Sequence, residues 1–132
     1  MGTEETWLVP TYNGIQFTNY LISNLGRLVS QSVHHGNSKS KGKPIFGNYR
    51  LIIPSNQNRG YIEVNPYSQG KRYYILLHRL VWSSFMGDIK PSVVIDHRNN
   101  EKCDNRLSNL QLLTRKENTE KWHKVDKLKL KK

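Results

Sequence analysis

The sequence predicts an α+β fold: a strand-rich antiparallel N-terminal region over residues 1–77, a helix-led strand–loop–strand–helix unit over 78–123, and a basic tail over 124–132. Three observations carry this. Short apolar runs alternate with turn formers through the first half of the chain, the pattern of a meander rather than of helices. His78 to Phe85 places Leu80, Val81 and Phe85, with Trp82 beside them, at helical spacing. The β-branched run Val93-Val94-Ile95 then leads into Asp96-His97, a polar loop, a second apolar run from Leu110 to Thr114, and a helical segment from Arg115 to His123.

Trp7-Leu8-Val9-Pro10 and Tyr20-Leu21-Ile22 are short strands separated by a turn at Asn13-Gly14, two residues that tolerate positive φ. Asn24-Leu25-Gly26 makes a second turn, followed by Arg27-Leu28-Val29-Ser30 as a strand. Residues 32–43 are small, polar and basic, and read as a loop or flexible arm. His34 and His35 are adjacent there, so on a strand they would face opposite ways and could not share a metal. Three strands are then expected to pair in sequence as a meander: Tyr49 to Pro54, Gly60 to Asn65, and Arg72 to Leu77. Ile62 and Val64 should face inward. One at least of Tyr73 and Tyr74 should pack within the sheet. Met86-Gly87-Asp88 ends the helix, and Pro91 prevents its continuation.

Composition bounds the rest. The 132 residues suffice for one domain or two small lobes. A mean hydropathy of −0.72 describes a polar chain, and no apolar run approaches the length of a membrane span. The acidic start, Met1 to Glu5, carries no secretory signal. A single cysteine, Cys103, rules out an internal disulfide and any cysteine-rich zinc cluster. The formal net charge of +11 favours a polyanionic partner through counterion release. Charge alone does not separate a nuclease from a basic RNA-binding protein.

The residue types at the second strand–loop–helix unit are more specific. A hard divalent cation prefers oxygen ligands and retains waters, so a carboxylate and an amide oxygen suffice if phosphate completes the shell. A histidine beside that carboxylate titrates near neutrality and can take a proton from an attacking water. Taken alone, an Asp-His pair at a strand end reads more readily as a cap and a surface imidazole than as a catalytic pair. Asn118 is a weak helix former inside a helix, which asks for a reason. With Lys121 reaching outward and Trp122 buried on the same side, its amide would face the site.

These residues carry a resemblance. Ile95-Asp96-His97-Arg98-Asn99-Asn100, Asp104-Asn105-Arg106-Leu107-Ser108-Asn109-Leu110 and Glu117-Asn118 resemble the HNH motif of phage and intron-borne homing endonucleases. His78 to Phe85 resembles the helix that leads into that motif, with His78 structural. Tyr20 to Ser30, with Ser23-Asn24-Leu25-Gly26-Arg27 at its centre, resembles a DNA-binding module found ahead of such domains. The chain departs from those HNH nucleases that are stapled by a four-cysteine zinc site.

The resemblance implies a ββα-metal nuclease motif in which His97 is the general base, Asp96 and Asn118 hold Mg²⁺ or Mn²⁺, and Asn109 fixes the loop or orients the histidine. It implies double-stranded DNA as partner, action as a monomer or homodimer, no membrane, and the cytoplasm of a bacterial or phage-infected cell. The basic residues expected to meet DNA are Arg27, Lys39, Lys41, Lys43, Arg50, Arg59, Lys71, Arg72, Arg98, Arg115 and Lys121. The alternatives are a nucleic-acid-binding protein on an inactive scaffold and a ribosomal-type RNA-binding protein. The second leaves Asp96, His97 and Asn118 unexplained.

Overall fold

The computed structural model describes residues 4–31, 44–54 and 56–130. Its first strands are β1 (Trp7–Leu8), β2 (Thr11–Tyr12), β3 (Ile15–Gln16), β4 (Tyr20–Ser23), β5 (Leu28–Gln31), β6 (Pro44–Phe46) and β7 (Tyr49–Leu51). One antiparallel sheet runs β1-β4-β5-β7-β6, and β2 and β3 form a separate hairpin. Asn13 and Gly14, at φ 51° and 79°, form its turn. Two successive positive-φ residues match the right-handed twist of the flanking strands, which explains the Asn-Gly pair.

The second set is β8 (Asn56–Asn58), β9 (Tyr61–Val64), β10 (Tyr67–Ser68), β11 (Lys71–Arg72) and β12 (Ile75–Leu76), followed by α1 (Leu77–Met86), β13 (Val93–His97), β14 (Leu110–Thr114) and α2 (Arg115–Leu130). The sequential meander is not what forms. β7 pairs with β5, Val29 opposite Leu51, and so joins the N-terminal sheet. β9 instead lies between β8 and β12. Local periodicity identifies a strand but not its partner, and here the partner lies on the far side of residues 32–43 in the sequence.

Burial follows the pattern on β9, where Val64 is buried and Ile62 packs against the core. Tyr73 meets Phe17 edge-on at 5.5 Å, whereas Tyr74 is exposed. α1 buries Leu77, Leu80 and Val81, one stripe at i, i+3 and i+4. That stripe completes a core with Phe17, Ile22 and Leu28 from the N-terminal region and Ile95 and Leu110 from the last two strands. Leu80 is fully buried, so Leu80→Ala should cost about 2–5 kcal/mol. The two regions therefore share one core. Polar ties reinforce it: the Ser83 hydroxyl donates to the Thr11 carbonyl at 2.6 Å, and Arg79 Nε donates to the Tyr12 hydroxyl at 3.0 Å.

Gly87, at φ 104°, ends α1 with its N–H on the Ser83 carbonyl. α2 starts on a reciprocal cap: Glu117 N–H donates to Thr114 Oγ1, and Glu117 Oε1 accepts from Thr114 N–H. The helix continues through Leu130, into the basic tail expected from residue 124. Its lysines and leucines are good helix formers, and charge alone does not melt a helix.

Candidate active site

β13 and β14 pair in full register, with Asp96 opposite Gln111 and His97 opposite Leu110. The connecting loop is closed by its own amides. Asn109 Nδ2 donates to Asn99 Oδ1 and to the Asp104 carbonyl, both at 2.9 Å, and Asn109 Oδ1 accepts from Asn99 N–H. The Asn109 carbonyl also accepts from Arg98 N–H at 2.7 Å. Asn109 thus fastens the loop and does not touch His97 directly. An Asp104–Arg106 ion pair at 2.7 Å braces the same loop. Arg106 and then Asn99 hold the Asp104 carboxyl below its usual range, at about 2.

Asp96 and His97 are both buried, at 7% and 4% exposure, yet both line a cleft of about 220 Å³. Asn118, Trp122, Tyr61, His78, Arg79 and Lys102 line it as well. The elements thus bring Asp96, His97 and Asn118 to one cavity, two residues from the end of β13 and one from the second turn of α2. Trp122 is exposed at 36% rather than buried.

Lys121 turns inward, against expectation. Its Nζ lies 2.6 Å from Asp96 Oδ2 and 2.9 Å from the His97 carbonyl. Gln111 Nε2 reaches the same carboxylate oxygen at 2.8 Å. A buried carboxylate needs such donors, because leaving it unpaired costs several kcal/mol. Gln111 could have been found from the sequence: it interrupts an apolar run at the strand position facing Asp96.

The imidazole of His97 has two kinds of neighbour. Its Nε2 lies 2.8 Å from Asn105 Oδ1, a buried contact that motif reading passed over. Its face meets His78 at 4.8 Å between centroids, and His78 stacks on Tyr61 at 5.1 Å. Burial, and then the neighbouring His97 and Arg79, push the His78 imidazole down to about 3. His78 is therefore a neutral ring at ordinary pH. Its Nδ1 has no hydrogen-bond partner among the described residues. Lys102 sits over Tyr61 at 4.7 Å and donates to the Arg59 carbonyl.

The expected DNA contacts separate into three groups. Lys39, Lys41 and Lys43 lie outside the described residues, as do His34 and His35. Arg98, Arg115, Lys71, Arg72 and Arg59 are exposed, and Arg50 is half-buried on β7. Lys71 and Arg72 lie over Tyr73 and Tyr67 on the β10–β11 hairpin. Arg27 and Lys121 are engaged elsewhere: Lys121 sits on Asp96, while Arg27 Nε donates to Glu5 at 2.7 Å and its guanidinium lies over Trp7. Hydrogen bonding between the pair lowers the Glu5 pKa and raises that of Arg27.

Among the described residues no group of three or more His, Cys, Asp or Glu could hold a metal. The Asp96 carboxylate and Asn118 amide are instead two hard oxygen donors on one cleft, a set that fits a hard cation with an otherwise external shell. Among the described residues no helix is long and apolar enough to cross a membrane.

A two-stranded hairpin feeding a helix, with Asp-His at the end of its first strand, makes this an α+β protein with a ββα unit at its cleft. Residues 76–120 match the HNH endonuclease family. The chain is also similar to the solved structure of the HNH homing endonuclease I-HmuI, described for its DNA binding and cleavage, with a TM-score of 0.67 and 23% identity over 92% of this chain. It spans 59% of that protein's length. No curated protein matches.

Proposed function

We propose that the chain is a divalent-metal-dependent DNA endonuclease of the phage homing type. The observation that carries this is the buried Asp96–His97 pair opening on the cleft that Asn118 also lines. The family match and the likeness to a DNA-cleaving homing endonuclease support the same reading.

In this reading His97 takes the proton from the attacking water. Asp96 and Asn118 hold Mg²⁺ or Mn²⁺, which would stabilise charge on the phosphate and leaving oxygen. Arg79 and Lys102 add positive charge to the walls of the cleft, and the net charge of +11 draws in duplex DNA. One site per chain cuts one strand, and double-strand cleavage requires two chains to meet the duplex. The setting is the cytoplasm of a bacterial or phage-infected cell.

One observation favours the alternative, a DNA-binding protein on an inactive scaffold. The Lys121 ammonium occupies Asp96 Oδ2, a position a cation would compete for. Incubation with supercoiled plasmid across a Mg²⁺ titration decides between them. The nuclease relaxes or linearises the plasmid with added metal and stops with a chelator. An inactive scaffold shifts the plasmid in a gel and leaves it intact.

A further inference from the structure

The Ser23–Arg27 turn looks from its sequence like a DNA contact, yet its groups are committed inside the protein. The buried Ser23 hydroxyl accepts from the N–H groups of Leu25 and Arg27 at 3.2 and 3.1 Å. The Asn24 side chain accepts from Thr6 N–H at 2.7 Å and donates to the Glu4 carbonyl at 3.0 Å. Arg27 is held by Glu5. The outer side of the turn faces the HNH loop. The Asn24 carbonyl accepts from Leu107 N–H at 2.8 Å. A Cβ on Gly26 would lie 3.0 Å from the backbone carbon and oxygen of Asn105, and Gly26 has φ +86°. Only glycine allows both the conformation and the approach.

Asn105 is the residue pressed by this turn, and its Oδ1 meets His97 Nε2 in a buried contact. An amide oxygen accepts, so the ring nitrogen facing it carries the proton, and Nδ1 keeps the lone pair a base needs. An imidazole is oriented by the partner of its other nitrogen.

We propose that Asn105 is a positioning residue that fixes the Nε2–H tautomer and ring orientation of His97, and that the Ser23–Arg27 turn is the buttress holding Asn105 there. This rests on His97 acting as the base. The N-terminal sheet then acts on the chemistry through one asparagine instead of through phosphate.

The test is imidazole ¹⁵N NMR of the full chain, with His97 signals identified by their loss in His97→Ala, alongside kcat and DNA affinity. In the wild type, Nε2 should be the protonated nitrogen. Asn105→Ala should yield mixed tautomers and lower kcat by about 10–100-fold at unchanged DNA affinity. Asn105→Asp, which retains an acceptor oxygen, should restore the single tautomer. Gly26→Ala should shift His97 as Asn105→Ala does. Ser23→Ala, a milder change that removes the turn's internal acceptor and a hydrogen bond to Glu5, should do so to a smaller degree if Gly26→Ala does not fold. An Nδ1–H tautomer in the wild type, or His97 signals indifferent to Asn105→Ala, overturns the proposal. Loss of DNA affinity in Ser23→Ala or Gly26→Ala with unmoved His97 signals overturns the buttress. A wild-type chain that never cuts DNA defeats the nuclease reading alone, because the tautomer is read without turnover.

Discussion

The Ser23–Arg27 turn and the Arg98–Asn109 loop are built from the same materials and end in opposite roles. Both satisfy backbone groups with side-chain amides or hydroxyls. In the turn this accounts for the polar side chains of Ser23, Asn24 and Arg27, and none of them lines the cleft. In the loop it frees the end of β13 to present Asp96 and His97 to a cavity. A polar residue in a loop thus signals function only after its local hydrogen bonds have been counted.

Salt should produce the largest effect and tests whether charge lies in both regions. If roughly 6–10 phosphates are neutralised, DNA affinity falls by about 10³–10⁵ between about 50 and 200 mM salt. A flat response in a filter-binding titration would mean the +11 charge does not serve nucleic acid.

Next in size is the chemistry assigned to the β13 end. His97→Ala should slow cleavage by about 10²–10⁴-fold while gel-shift affinity persists. Asp96→Ala should abolish cleavage, and Asn118→Asp should retain more activity than Asn118→Ala because it keeps an oxygen at the same reach. Undiminished cutting by Asn118→Ala at low Mg²⁺ would remove Asn118 from the metal site.

His78 lies between Tyr61 and His97, and its effect is on stability. Its ordinary value is 6.5 and its folded value about 3, so between them the unfolded chain binds a proton that the folded chain refuses. Stability is complete above 6.5 and falls as the pH drops toward 3, by about 2 kcal/mol at about pH 5. Urea midpoints should show this slope, and His78→Phe should flatten it. An equal slope in the variant would place the acid sensitivity elsewhere.

The smallest effect belongs to the loop's own brace. Because Asp104 is depressed to about 2, its pairing with Arg106 contributes above the ordinary carboxylate range and is lost as pH falls through about 2. Thermal melts of Asp104→Asn should match the wild type at that acidic end and fall slightly below it near neutrality.

The sequence was most readable where structure is local. The Asn13-Gly14 hairpin, the α1 stripe and the β13–β14 unit all follow from spacing within a few residues. Strand partnering was not readable, because β7 joins β5, a strand distant from it in sequence. In the site, the Asp-His pair and Asn118 were visible as residue types. Asn105 and the inward turn of Lys121 were not, since a surface motif and a buried contact look alike in sequence. The Arg27–Glu5 pair was not readable either, because its acidic partner lies far off in sequence at the start of the chain.

The shared core limits how the HNH segment can be used as a building block. Residues 76–120 look like a portable cassette, but Leu77, Leu80 and Val81 pack with Phe17, Ile22 and Leu28 from outside it. Excised, the cassette would carry a bare apolar stripe and aggregate. Grafted behind a foreign recognition module, it would need a replacement for those three side chains before any target preference could be transplanted.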